Sequence, residues 1–182
     1  MLIKTHAPEE TSQVGRLLGN ACRGGETILL EGDLGVGKTT LTQGLAAGLR
    51  VSAAVVSPTF IILREYEGRL PLYHFDFYRL EGTGRAVDLE FDDYLSAGGV
   101  CVVEWPSSAP ELTPDDYLLL TIRTVGPAAR ELVLAASDAR HQALIDALSA
   151  ALEPVTMNPT TATTATTATA TTATTATTTT LP

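Results

Sequence analysis

Residues 26–40 read ETILLEGDLGVGKTT. Ile28-Leu29-Leu30 is a short apolar run bounded by turn residues, the mark of a buried strand. Residues 32–39, GDLGVGKT, satisfy the pattern G-x-x-x-x-G-K-[ST] at every fixed position. A helical segment, Thr40 to Leu49, follows. A strand, a glycine loop and a helix in this order make a cradle for phosphate. Backbone N–H groups must approach the anion closely, and glycine alone allows that approach together with positive φ. The helix then directs the positive end of its dipole at the same point. Gly35, Val36, Gly37, Lys38, Thr39 and Thr40 therefore read as a nucleotide site. Lys38 brings a point charge to the β and γ phosphates, and Thr39 offers a hydroxyl to Mg²⁺, which prefers hard oxygen ligands. Lys4 and Lys38 are the only lysines among the 12 basic residues. A chain that otherwise uses arginine keeps lysine where a compact charge suits phosphate.

Two later stretches supply acids. Val100-Cys101-Val102-Val103 is a second buried strand, and Glu104 stands at its C-terminal end. That is where a carboxylate reaches a metal beside the glycine loop, although aspartate is the usual residue there. Glu104 joins Thr39 as a candidate metal ligand. Trp105, the sole tryptophan, is either a core aromatic or a wall of the pocket. Upstream, Ser57-Pro58-Thr59-Phe60 reads as an ordered extended turn. It is either a switch-like loop with hydroxyls near a γ-phosphate or an ordinary turn. Ile61–Tyr66 and Leu70–Tyr78 read as strands joined at Glu67-Gly68-Arg69. Leu72, His74, Asp76 and Tyr78 then share one face, and Tyr73, Phe75 and Phe77 the other. Burying Asp76 is costly unless something pairs with it. A metal-bound or attacking water would make it catalytic; a hydrogen bond to His74 would make it structural.

At 182 residues with a net charge of −9, from 12 basic and 21 acidic side chains, the chain suits one domain with an appended tail. The predicted domain is 1–153. Residues 154–182 collapse to Thr and Ala with prolines and read as a disordered tail. The acidic balance argues against direct binding along a nucleic-acid backbone. No run approaches membrane-spanning length and the N-terminus lacks an apolar leader, so the expected location is cytoplasmic. Cys22 and Cys101 show no metal or redox spacing and read as small buried residues. Val14, Leu17, Leu18, Ala21 and Cys22 form one face of a helix over 8–23, opened by Pro8, Glu9 and Glu10. Thr11, near its start, is a candidate contact to a nucleotide base. Glu81–Ala97 reads as an acidic stretch with a short helix. Tyr117–Thr124 and Glu131–Ala136 read as a hairpin around Val125-Gly126-Pro127, and Ser137–Leu152 as a closing helix.

Guanine reading by an Asn-Lys-x-Asp stretch is excluded, because neither Asn20 nor Asn158 precedes a lysine. ATP is the expected nucleotide. A small-molecule kinase would need a basic lid that the scattered arginines do not make. The loop at 32–40, Ser57-Pro58-Thr59-Phe60, Tyr73-His74-Phe75-Asp76-Phe77-Tyr78-Arg79-Leu80 and Val103-Glu104-Trp105-Pro106, in this order, resemble the TsaE (YjeE) family over about residues 5 to 135. The resemblance implies a three-layer P-loop α/β domain with a mostly parallel or mixed central sheet. It implies ATP, with Mg²⁺ held by Thr39 and Glu104, Lys38 on the phosphates, and Asp76 assisting hydrolysis. Thr11 and Arg130 would lie toward the base. It implies TsaB and TsaD as partners in forming tRNA N6-threonylcarbamoyladenosine, with tRNA met only through them. The alternatives are a nucleotide-dependent binding module and a small-molecule kinase.

Overall fold

The computed structural model describes residues 1–80 and 91–152. Its centre is a 7-stranded sheet in the order β1-β7-β6-β2-β5-β4-β3. The strands are β1 Leu2–Thr5, β2 Glu26–Glu31, β3 Leu63–Tyr66, β4 Leu72–Asp76, β5 Val100–Glu104, β6 Leu118–Thr124 and β7 Arg130–Ala136. β6, β2, β5 and β4 run parallel to their neighbours in that block. β3, β7 and β1 are antiparallel additions at the two sides. The parallel block is buried on both faces, which is why β2 and β5 read as continuous apolar runs, not alternating ones.

The helices are α1 Pro8–Ala21, α2 Lys38–Gly48, α3 Phe91–Ser96 and α4 Ala139–Leu152. α1, α2 and α4 cover one face, where Val14, Leu18, Leu41, Leu45, Leu144 and Leu148 pack on Ile28, Leu30, Val102 and Leu120. On the opposite face Phe75, Phe77, Phe91, Val103 and Leu29 form a second core. Phe75 meets Phe91 edge to face at 4.9 Å, a favoured aromatic geometry. These are the expected three layers.

α1 and α2 are pressed together through small residues. A Cβ on Gly15 would lie 2.1 Å from the Leu41 carbonyl oxygen, and one on Gly44 would lie 1.9 Å from that of Ser12. The close approach fixes α1 against the helix that begins at the glycine loop.

Most expected elements form, with ends shifted by one or two residues. Residues 58–62 turn back instead of extending, since the N–H groups of Ile61 and Ile62 both donate to the Pro58 carbonyl. Of the expected segment Glu81–Ala97, residues 91–96 are helical and residues 81–90 lie outside the described residues. The proposed tail also lies outside them. β1 was not legible in the sequence: it has four residues, one of them buried, and gains its partners from β7. Arg69, expected only as a connector, donates to the carbonyls of Gly19, Asn20 and Cys22 and so closes the C-terminus of α1. Both cysteines are free and buried. Burial pushes the Cys101 thiol up to about 12, and the Cys22 thiol higher still, so neither is a ready nucleophile.

Candidate functional site

The parallel register brings the chemistry to one edge. β2 ends at Glu31 and hands the chain to the glycine loop. Gly32, Gly35 and Gly37 have φ of 141°, 73° and 118°, values that side chains with a Cβ rarely adopt. α2 begins at Lys38 directly behind them. On the next strand Glu104 stands level with Leu30, and on the strand beyond it Asp76 stands level with Glu104. Two carboxylate residues thus sit side by side next to the loop, at 3% and 2% exposure, with Lys38 at 4%.

Each group has an internal partner. Thr39 donates its hydroxyl to Glu104 at 3.0 Å from Oε1 and 3.3 Å from Oε2. Lys38 Nζ donates to the carbonyls of Gly32 at 2.6 Å and Asp33 at 3.0 Å. It also lies 3.6 Å from the centroid of the Trp105 ring, in cation–π range. Burial pulls the Lys38 pKa below its ordinary value, although Glu104 and Asp76 favour its charge. Asp76 Oδ2 accepts from the hydroxyls of Ser57 at 2.8 Å and Thr59 at 2.6 Å. Its Oδ1 accepts from the Tyr78 N–H at 3.0 Å. Trp105 is held at φ 60°, a left-handed conformation unusual outside glycine, and its ring lies 5.0 Å from that of Tyr78. Strain of this kind collects at functional sites.

These side chains line a cleft of about 330 Å³, with Gly35, Gly37, Lys38, Thr39, Thr40, Asp76, Glu104 and Trp105 on its walls. A second, smaller hollow of about 100 Å³ shares Gly35, Gly37 and Thr40 and is closed by Thr11, Val36 and Arg130. Every site residue expected from sequence falls in one hollow or the other. Thr11 is buried, with its hydroxyl 2.9 Å from that of Thr5. Arg130 Nε donates to the Val36 carbonyl at 2.7 Å and so braces the loop from behind. Trp105 is a pocket wall, the second of its two readings. The turn at 57–60 is tied to the site through its hydroxyls and is not a bystander. Tyr78 lines the cleft too; its place on the Asp76 face was the signal that would have found it.

The His74–Asp76 hydrogen bond that would have made Asp76 structural does not form. His74 Nε2 lies 2.9 Å from Glu104 Oε1 instead. Side chains two apart on one strand stand parallel, whereas Glu104 projects from the adjoining strand one diagonal step away.

The donor set fits a hard divalent cation. Thr39 and Glu104 present oxygens that already touch, and the two buried carboxylates outnumber the single buried ammonium. Among the described residues no three His, Cys, Asp or Glu side chains cluster as a metal cage. A cation here would complete its shell with phosphate oxygens and water, as Mg²⁺ commonly does.

Sheet order, glycine loop and neighbouring carboxylate together define a P-loop NTPase-like α/β domain. The family model described as "Threonylcarbamoyl adenosine biosynthesis protein TsaE" matches residues 5–132. The chain belongs to that TsaE family. It is 42% identical over 147 residues to the tRNA threonylcarbamoyladenosine biosynthesis protein TsaE of Bacillus subtilis, covering 80% of this chain and 92% of that protein. The protein of that name from a Nostoc species is 44% identical over 131 residues, 68% of this chain and 80% of its own. A crystal structure of Bacillus subtilis YdiB superposes with a TM-score of 0.74 at 38% identity, over 83% of this chain and 95% of that one. No helix among the described residues is long and apolar enough to cross a membrane.

Proposed function

We propose that this chain is a Mg²⁺-dependent ATPase that serves tRNA N6-threonylcarbamoyladenosine formation, acting in the cytoplasm with TsaB- and TsaD-type proteins. The contact between the Thr39 hydroxyl and the Glu104 carboxylate, beside Lys38 on the glycine loop, carries the ATPase reading. The names and coverage of the relatives support the pathway. The net charge of −9 agrees with a protein that meets tRNA only through partners.

The loop N–H groups and the start of α2 bind the triphosphate, and Lys38 leaves its carbonyl partners for the phosphate oxygens. Thr39 Oγ1 and the Glu104 carboxylate would hold Mg²⁺, whose chemistry there would be to offset the phosphate charge. Asp76 exchanges the Ser57 and Thr59 hydroxyls for the attacking water, orienting it or taking its proton at Oδ2. Thr11, Val36 and Arg130 shape the hollow assigned to the base. Turnover alone is slow, because no arginine among the described residues lines the main cleft. The test is ATP hydrolysis with and without the partner pair. Turnover that rises with partners and disappears in Lys38→Ala supports the reading; turnover unaffected by Lys38→Ala overturns it.

One observation favours a second reading, a nucleotide-dependent binding module with incidental hydrolysis. Both Asp76 oxygens already hold donors, so Asp76 serves as an anchor for the 57–59 turn. In that case Asp76→Ala and Glu104→Ala abolish turnover yet leave tRNA modification intact.

A further inference from the structure

His74 lies on the middle of β4 with no exposed surface. Its Nε2 is 2.9 Å from Glu104 Oε1, and its Nδ1 is the one buried side-chain N or O atom without a hydrogen-bond partner among the described residues. The two ring nitrogens therefore have opposite surroundings. A bare N–H donor in the core costs about 1–3 kcal/mol, and a carboxylate oxygen can only accept. The proton belongs on Nε2, facing Glu104, with Nδ1 left as a bare acceptor.

The consequence lies in how Glu104 is held. Oε1 takes donors from both His74 and Thr39, while Oε2 has only the longer Thr39 contact at 3.3 Å. One oxygen is engaged on two sides and the other has spare lone pairs. A buried strand residue that fixes the carboxylate in this way resembles the outer partners that orient metal ligands elsewhere.

We propose that His74 is a positioning residue for the cation site: its Nε2–H holds Glu104 by Oε1 so that Oε2 is presented to the divalent cation that arrives with the nucleotide. The proposal rests on the nucleotide and cation reading above. It assigns His74 no contact with nucleotide or cation.

The first test uses the unaltered protein. Nitrogen-15 spectra of the His74 ring should show Nε2 carrying the proton and Nδ1 bare; a proton on Nδ1 alone overturns the proposal. The second titrates Mg²⁺ into protein holding a non-hydrolysable ATP analogue, followed by Trp105 emission, since that ring lines the same cleft. His74→Leu removes the donor and keeps an apolar filling. Its Mg²⁺ midpoint should rise by about 10-fold or more, as loss of an outer partner does elsewhere. Its affinity for the analogue in EDTA should stay within about 2-fold of the parent, because a positioning role toward the cation leaves the metal-free phosphate contacts alone. His74→Gln places an amide N–H near the Nε2 position and should recover much of the midpoint. A folded His74→Leu protein with the parental midpoint, or one that loses analogue affinity equally with and without Mg²⁺, overturns the proposal, and so does a folded His74→Gln protein whose midpoint is no better than that of His74→Leu. Should His74→Leu not fold, the ring spectra decide together with His74→Gln, in which a midpoint raised by about 10-fold or more overturns the proposal. If the parent protein itself shows no Mg²⁺ dependence, the cation reading of the site fails, which is a different result.

Discussion

Replacing Glu104 by glutamine should push nucleotide affinity in opposite directions with and without Mg²⁺. Glu104 is buried and level with buried Asp76 on the adjoining strand, so the cleft carries two negative side chains against one positive. ATP would add several more negative charges. Unit charges about 5 Å apart at an effective dielectric of about 20 repel by about 3 kcal/mol, and counterions and water cut that to about 1–2 kcal/mol. Glu104→Gln keeps the shape and removes one of the repelling charges. In EDTA the variant should therefore bind an ATP analogue about 5- to 30-fold more tightly than the parent. With Mg²⁺ the sign reverses. Losing a charged oxygen on the cation forfeits about 1.5–3 kcal/mol, so binding should weaken about 10- to 150-fold. Calorimetric titration in both buffers gives the two affinities directly. Equal weakening in both, or an unchanged ratio, would refute the claim that Glu104 faces the cation, and would leave its buried charge without a function.

Other outcomes follow from particular contacts. Gly44→Ala places a Cβ 1.9 Å from the Ser12 carbonyl oxygen, so α1 and α2 must separate; a cost of about 1–3 kcal/mol should appear as a lowered unfolding midpoint in urea. Gly35→Ala meets nothing within 4 Å but must hold φ 73°; it should cost about 1–2 kcal/mol and weaken nucleotide binding more than Gly44→Ala does. Just ahead of α4, partial burial raises the Asp138 pKa, but its bonds from the His141 ring and from the N–H groups of His141 and Arg140 outweigh that and hold it below its ordinary value. A carboxyl depressed on folding stabilises the protein above its unfolded pKa, about 3.9, and loses that contribution as pH falls through the lower folded value. The parent should therefore exceed Asp138→Asn in stability at pH 6, and the gap should shrink below about pH 4, read from urea midpoints at both pH values.

The glycine loop, the apolar run ending at Glu104 and the aspartate among aromatics were legible because each is local. Spacing along one strand decides which face a side chain takes, and the reading of Leu72, His74 and Asp76 as one face holds. What the sequence concealed depends on neighbours from elsewhere in the chain. The Glu104 partner of His74 was not legible, because the register of β4 on β5 is not written in either strand. Arg69 caps a helix 47 residues upstream at Cys22. His141 accepts from the Thr27 N–H at 3.1 Å and so ties α4 to the strand that feeds the loop. In the sequence it is only a polar residue on a helix. β1 is too short to show a period and exists because β7 offers it an edge.

The same contacts satisfy the polar groups of the cleft from within the protein. Lys38 is satisfied by two carbonyls and an indole face, Thr39 and Glu104 satisfy each other, and Asp76 holds two hydroxyls and an N–H. Left bare, such buried charges would cost several kcal/mol each. In the proposed function, binding therefore exchanges partners and adds few new ones. Its free energy is a difference between two well-bonded states, so affinity should be modest and sensitive to small changes at the turn 57–59. That turn runs straight into exposed chain: Phe60 is 81% exposed and Ile61 55%. A protein that closed on this turn would stabilise one set of partners over the other. Activation by a partner is therefore expected to act first on the Ser57 and Thr59 hydroxyls, and only through them on Asp76.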